Sequence, residues 1–229
     1  MTAYAPVQNF GVVPGFGMSQ GDIGGGVAYT DDTGAGDDDA SIGLAVGLGD
    51  PVNAVGLDLL VGIISTTDDF AQDGDVGVRL HRRLPGFVPG GASSVAVGVS
   101  RAARWGDADV LDPSYYGSFS TALPMPTGVT SLITVGYGTN LKDTNAFLER
   151  GVLDERSSED AIFGSLGIGW NQYLDTSVSW DGDEVMAGLG IRPLDSSNLT
   201  LTLGIGDITD RRDNRRALVT LSWFKPNVF

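Results

Sequence analysis

The amino-acid sequence predicts an all-β protein, an up-and-down antiparallel meander closed into a β-barrel of about twelve strands. The first observation is the stretch SIGLAVGLGDPVNAVGLDLLVGIIST, residues 41–66, in which large apolar side chains alternate with small ones, most often glycine. A turn at Gly49-Asp50-Pro51 divides it into two legs, as in a hairpin. The second observation is that the same alternation recurs to the end of the chain. Closure into a barrel removes the exposed edges of so long a meander.

Each predicted strand is a run of period-two alternation bounded by Gly, Pro, Asp, Asn or Ser. In the fourth strand, for example, Val76, Val78 and Leu80 fall on one face, and Gly77 and Arg79 fall on the other. The predicted strands are 25–30, 41–48, 55–63, 75–83, 93–105, 115–123, 130–139, 161–171, 173–180, 184–191, 198–206 and 216–224. They form a single barrel domain, residues 24–229, which follows a Gly- and Pro-containing N-terminal segment, residues 1–23.

The connections between these strands alternate in length and charge. Counting from the first strand, the odd-numbered connections are mostly long and acidic, and the even-numbered ones are mostly short. The long set is TDDTGAGDDD, TTDDFAQDG, GDADVLDPS, LKDTNAFLERGVLDERSSED, DGD and DITDRRDN, of which only DGD is short. Such a meander has one end with acidic loops and one with short turns. The acidic oxygens favour a solvated rim, with weak Ca²⁺ binding at these loops as the alternative.

Composition excludes several classes of function. The chain has 14 Lys and Arg against 29 Asp and Glu, a formal charge of -15, which argues against nucleic-acid binding. It has no cysteine and a single histidine, His81, so thiolate and clustered-histidine metal sites are excluded. No GxSxG or P-loop motif is present, and we predict neither a cofactor nor an enzyme. A Ser-His hydrolase would need His81 beside Ser94 or Ser100.

The two faces of the strands predict which side is the lumen. Soluble surfaces carry roughly 25–35% charged residues, whereas the second face here is mostly Gly, Ala, Ser and Thr. We therefore place that face inside the barrel and the bulky face outside. The charged residues on the inner face are Asp58, Arg79, His81, Arg104, Asp175, Glu184, Arg192 and Arg216. They could line an ion-selective constriction, with the arginines opposed to the acids, or form salt bridges that fill a closed interior.

Aromatic residues fall near the predicted strand ends, where the interfacial girdles of membrane barrels lie. They are Trp105, Tyr115, Tyr116, Tyr137, Trp170, Tyr173, Trp180 and Trp223. The alternative is that aromatics simply favour strands.

The strand pattern, the loop alternation and the final strand ALVTLSWF, followed by Phe229, resemble the bacterial outer-membrane β-barrel family over residues 24–224. The stretches GLGDPVNAVGLDLLVG and LHRRLPGFVPGGASSVAVGV are similar to small barrel proteins of cyanobacteria. The family carries an aromatic assembly mark at the last strand, which here falls at Trp223-Phe224. The resemblance implies an outer-membrane location, membrane lipid as a partner, and possible homo-oligomers or surface assemblies. Because the N-terminus lacks a signal-peptide pattern, we expect that a signal was removed.

These observations lead to two functional hypotheses. The first is a non-catalytic outer-membrane barrel that acts as a narrow channel or a structural surface protein. The alternative is a water-soluble all-β structural protein, such as a subunit of a surface layer, fibre or phage particle. The alternative predicts that the bulky face is buried between sheets and that free strand edges are used for assembly.

Overall fold

In the computed structural model, which describes residues 8–31, 39–64, 70–110, 112–125, 128–140, 160–193, 198–210 and 215–229, twelve antiparallel strands form a closed barrel. The strands are β1 (Ile23–Asp31), β2 (Asp39–Gly49), β3 (Gly56–Ile63), β4 (Gly74–Arg83), β5 (Ala92–Trp105), β6 (Ser114–Pro124), β7 (Thr130–Gly138), β8 (Ala161–Gly169), β9 (Leu174–Trp180), β10 (Val185–Ile191), β11 (Leu199–Gly206) and β12 (Arg216–Lys225). One short 3-10 helix, Gly106–Val110, follows β5. The predicted fold class is confirmed.

Each strand pairs with its neighbours in sequence, and the barrel closes where β1 pairs with β12. That seam runs from the pair Ile23 and Lys225 to the pair Asp31 and Ala217. Every one of the twelve described strands therefore has two partners, and none presents a free edge. The free edges that an assembling soluble protein would use are absent from this part of the chain.

The two ends of the barrel differ. We call the end where β1 begins and β12 finishes the turn end, and the opposite end the loop end. At the turn end, Asn171 Oδ1 accepts hydrogen bonds from the backbone N–H groups of Tyr173 and Leu174. Because this Asx turn reverses the chain, β8 stops at Gly169, although the sequence pattern predicted a strand through Asn171. Most of the acidic loop residues, including 32–38, 65–69 and 141–159, lie outside the described residues.

A second Asx turn, between β2 and β3, has a measurable pH signature. Asp50 accepts hydrogen bonds from the side chain and N–H of Asn53 and from the N–H of Val52, and these lower its pKa below the ordinary 3.8. Because this pKa is lowered, the hydrogen bonds of Asp50 stabilise the folded state fully above pH 3.8. This stabilisation is lost as the pH falls through the lower pKa. We expect Asn53→Ala to raise the pKa of Asp50, measured by a carboxyl-carbon NMR titration. An unchanged titration would contradict these hydrogen bonds.

The outer face of the barrel is apolar and exposed. Val97, Ile162 and Val178, from three different strands, are 58%, 65% and 53% exposed. The bulky face therefore points outward and is not packed between two sheets, which corrects the soluble-protein hypothesis on this point. Among the described residues, no helix is long and apolar enough to cross a membrane.

The inner face is mostly small and polar, with a few large side chains that lie over glycines of the adjacent strand. Tyr116 on β6 lies over Gly98 of β5, and Phe163 on β8 lies over Gly136 of β7. A Cβ atom at either glycine would overlap the ring beside it. These glycines thus make room for bulky inward side chains on the neighbouring strand.

Candidate functional site

The lumen contains the described residues that precede β1. We call residues 8–22 the luminal segment. At the turn end it is fixed to β2, since the N–H of Gln20 donates to Gly49 O at 2.8 Å and the N–H of Gly21 donates to Gly47 O at 3.1 Å. The N–H of Val228, after β12, donates to Gly21 O at 2.7 Å. The base of the segment is therefore held by both sides of the seam.

From this base the segment rises along β3 to β6. The N–H of Met18 donates to Asp58 Oδ1 at 3.1 Å, and the N–H of Gly15 donates to Ser120 Oγ at 2.8 Å. Between them, the ring of Phe16 lies 4.9 Å from the guanidinium carbon of Arg83. This limb thus uses its backbone N–H groups to bind polar side chains of the wall.

The top of the segment is apolar. Val12 and Val13 pack against the buried pair Tyr116 and Phe163, near the loop end of β6 and β8. This contact forms a small hydrophobic cluster inside an otherwise polar lumen, so the segment is held by apolar packing as well as by hydrogen bonds.

The segment then crosses the lumen and descends toward β9 to β11. Asn9 donates to Thr134 Oγ1 at 2.8 Å and accepts from the hydroxyl of Ser165 at 2.9 Å. Gln8 accepts from the hydroxyl of Thr202 at 2.7 Å. Its backbone N–H lies near Asp175, close to the turn end of β9. The described part of the N-terminal segment is therefore an arch inside the barrel.

Phe10 fixes the descending limb by fitting between two glycines. Its ring lies against Gly188 of β10 and Gly204 of β11, where added Cβ atoms would overlap the ring. We expect Gly204→Ala to destabilise the barrel by about 1–3 kcal/mol, the usual effect of overpacking, measured by urea unfolding. In a Phe10→Ala background the same change should cost far less. Gly117→Ala is the control, because its Cβ would meet only atoms 3.9–4.0 Å away. Equal effects in both backgrounds would contradict the contact.

The charged residues that the sequence placed on the inner face form local pairs. Near the turn end, Arg79 binds Asp58 Oδ2 through Nη2 at 2.6 Å and Nε at 2.7 Å. His81 Nε2 lies 3.3 Å from Asp58 Oδ1. Asp58, which is fully buried, therefore joins two wall residues to the luminal segment through Met18.

Two further ion pairs lie on the β9 to β12 side. Asp175 and Arg192 meet at 2.8 Å near the turn end. At the loop end, Glu184 and Arg216 form a bidentate pair with distances of 2.5 and 3.0 Å, and both side chains are at most 1% exposed. Gly206 lies next to the Arg216 guanidinium, and a Cβ there would come within 2.8 Å of it.

The last of the predicted charged residues, Arg104, stands opposite Asp75 across the β4 and β5 register. All of these arrangements join neighbouring strands or nearby residues of the wall. These three ion pairs thus lie along the wall, and the ion-selective constriction stays a prediction. Arg101, which the sequence reasoning missed, is 2% exposed and donates to the backbone oxygens of Asp112 and Asn140, so it holds two loop-end connections.

The hydrolase hypothesis gains no support from this geometry. His81 stands opposite Ala96 in the β4 and β5 register, and its acidic neighbour is Asp58. The hydroxyl of Ser94 donates to the backbone oxygen of Arg82 at 2.8 Å, and Ser100 stands opposite Ser114 of β6. Among the residues that the structure describes, no three His, Cys, Asp or Glu side chains are grouped so that they could hold a metal ion.

Seven of the eight predicted interfacial aromatics lie outside the lumen, at the two ends of the barrel. Trp105, Tyr115, Tyr137 and Trp180 lie at the loop end, and Trp170, Tyr173 and Trp223 lie at the turn end. Tyr116 is the exception, because it points into the lumen and is 8% exposed. Tyr115 and Tyr116 are adjacent, and adjacent side chains of a strand face opposite ways.

Beside the arch, the lumen retains a cavity of about 850 Å³. Its walls include Phe10 and Phe16 of the luminal segment, Arg83 at the end of β4, and hydroxyl side chains such as Thr202 and Thr220. The space is bounded on one side by the barrel wall and on the other by the chain's own N-terminal residues.

Solved structures of other proteins share this fold. The KdgM porin in complex with disordered oligogalacturonate is 7% identical, with a TM-score of 0.54 over 87% of this chain and 98% of that one. The COG4313 outer membrane channel from Pseudomonas putida F1 is 11% identical, with a TM-score of 0.52 over 91% of this chain and 97% of that one. No family model matches the chain, and no curated protein matches it significantly.

The arch was not visible to sequence reasoning. Residues 8–22 show neither a period of two nor a helical period, so no pattern predicts their position in the fold. The one usable signal was the glycine content of the inner face, because Gly188 and Gly204 leave room for the Phe10 side chain of a distant segment.

Proposed function

We propose that this protein is an outer-membrane β-barrel that works as a narrow, porin-like channel without catalysis. The observation that carries the proposal is the outer face, where large apolar side chains of successive strands are exposed around a closed barrel. Soluble monomers rarely expose contiguous apolar surface of this extent. In a bilayer the same face is buried in lipid, which is then the principal partner.

The aromatic residues support the same orientation. Outward aromatics such as Tyr115 and Tyr137 lie at the loop end, and Trp170, Tyr173 and Trp223 lie at the turn end, with the apolar belt between them. Tyr and Trp side chains favour the two membrane interfaces, where an apolar ring and a polar group are both accommodated. The turn end would then face the periplasm and the loop end the exterior.

The lumen supports a channel of small bore. Its wall is rich in Ser and Thr hydroxyls, and three of its arginines are neutralised by carboxylates of the wall, so water and small polar solutes can occupy it. The luminal segment fills part of the cross-section and leaves the cavity of about 850 Å³ beside it. The two solved barrels of the same fold are described as a porin and an outer membrane channel, which agrees with this reading.

Phase behaviour tests the proposal first. We expect the untagged chain to need micelles to stay monodisperse and to migrate differently on gels before and after boiling. In planar bilayers it should then give small, discrete conductance steps. Monodispersity in detergent-free buffer would overturn the membrane assignment, and an inserted barrel without conductance would leave a structural surface protein.

A further inference from the structure

The lining of the cavity beside the luminal segment differs from the rest of the lumen, where charged side chains form ion pairs. Its lining is mainly apolar or small, and Arg83 is the only ionised side chain among the lining residues. Arg79, Arg192 and Arg216 bind carboxylates and Arg101 binds backbone oxygens, but no carboxylate of the described residues pairs with Arg83. An arginine in this setting has donors available for a ligand.

Arg83 is also held in place without being neutralised. Its guanidinium lies over the ring of Phe16 at 4.9 Å, and its backbone N–H donates to Pro51 O at 2.8 Å. Stacking on an aromatic ring orients the planar guanidinium and leaves its in-plane N–H groups free to bind a carboxylate in a bidentate manner.

The walls around Arg83 suit an apolar body of moderate size. Phe10, Pro14 and Leu132 line the same cavity, and Thr202 and Thr220 add hydroxyl groups. The volume of about 850 Å³ lies within the range of roughly 300–1,000 Å³ that small-molecule sites occupy.

We propose that this cavity binds a small amphipathic monoanion, an aryl or branched-alkyl carboxylate. The carboxylate binds Arg83, and the apolar body packs against Phe10, Pro14 and Leu132. The site depends on the fold of the barrel and of its luminal segment, and it does not depend on conduction.

Gly43 offers a way to fill the cavity without disturbing its walls. It lines the cavity, and a Cβ atom added there would meet no atom within 4 Å. A phenylalanine at this position would extend into the space that the ligand needs. Gly117→Phe is the matched control, because Gly117 faces outward and its Cβ would have only contacts at 3.9–4.0 Å.

The test is equilibrium dialysis of 4-phenylbutyrate against the barrel in uncharged maltoside micelles, with empty micelles as the blank. We expect 4-phenylbutyrate to bind at least ~10-fold more tightly than its neutral amide, because a hydrogen-bonded charge contributes that much. Arg83→Gln should abolish the difference, and Arg83→Lys should retain part of it. The substitution Arg82→Gln removes the same charge from an exposed neighbouring residue and should leave the binding of both compounds unchanged. Gly43→Phe should abolish binding of both ligands, and Gly117→Phe should not.

Three results would overturn the proposal: equal binding of acid and amide to the native barrel, equal loss on Arg82→Gln and Arg83→Gln, or full binding by a folded Gly43→Phe variant. The gel shift on boiling shows that each variant is folded. A barrel that conducts and does not bind the probe refutes only this inference. A barrel that binds the probe and does not conduct refutes only the channel.

Discussion

Deleting residues 8–17 is expected to raise the single-channel conductance several-fold. These residues form the arch, and their removal takes away its contacts with β6, β7 and the apolar cluster of Tyr116 and Phe163. Residues 18–22 are kept, because Gln20 and Gly21 fix the base of the segment to β2. Conductance is measured in planar bilayers at the same salt concentration for both proteins.

A single substitution provides the control for this deletion. Phe10→Ala removes the ring that lies against Gly188 and Gly204 but leaves the backbone of the arch in place. It should therefore raise the conductance less than the deletion does. Circular dichroism and the gel shift on boiling check that the barrel is closed. An intact deletion variant with the native conductance would show that the arch does not restrict the path.

Breaking the ion pair between Glu184 and Arg216 is expected to have the largest effect on stability of any single substitution in the wall. Glu184→Gln leaves the Arg216 guanidinium, 1% exposed, without its bidentate partner. Loss of one member of a buried pair costs about 3–5 kcal/mol, because the remaining charge stays out of water. Urea unfolding in micelles measures the loss.

The double variant Glu184→Gln with Arg216→Gln separates the pair from other effects. It should recover much of the loss, since no unpaired charge remains. The exposed pair Arg215 and Asp210, 4.0 Å apart, is the control, and Asp210→Asn should change stability by less than ~1 kcal/mol. Similar losses at both pairs would refute the role of burial.

The strands and the barrel were predictable because their signal is local. Alternation in a stretch such as residues 41–48 fixes a strand and its two faces at once, and glycine on one face identifies the lumen. The pairing of the luminal charges was less accessible. Asp58 and Arg79 are far apart in sequence, and only the register of β3 and β4 brings them opposite each other.

The position of the N-terminal residues was not predictable for a different reason. A segment such as residues 8–17, held by single side-chain contacts such as Asn9 with Thr134, leaves no repeating pattern in the sequence. Tyr116 shows a related difficulty, since an aromatic near a strand end resembles an interfacial residue until the strand's exact phase is known.

The arch also constrains the order of assembly. Residues 8–22 leave the ribosome before any strand of the barrel, yet they end inside it, bonded to β7, β8 and β11. Once β1 has paired with β12 along its whole length, from Ile23 to Asp31, the wall is continuous, and the segment can enter only from an end of the barrel. Folding therefore either inserts this segment through an open end or closes the later strands around it, and by the second route the earliest part of the chain is an internal template for the sheet that encloses it.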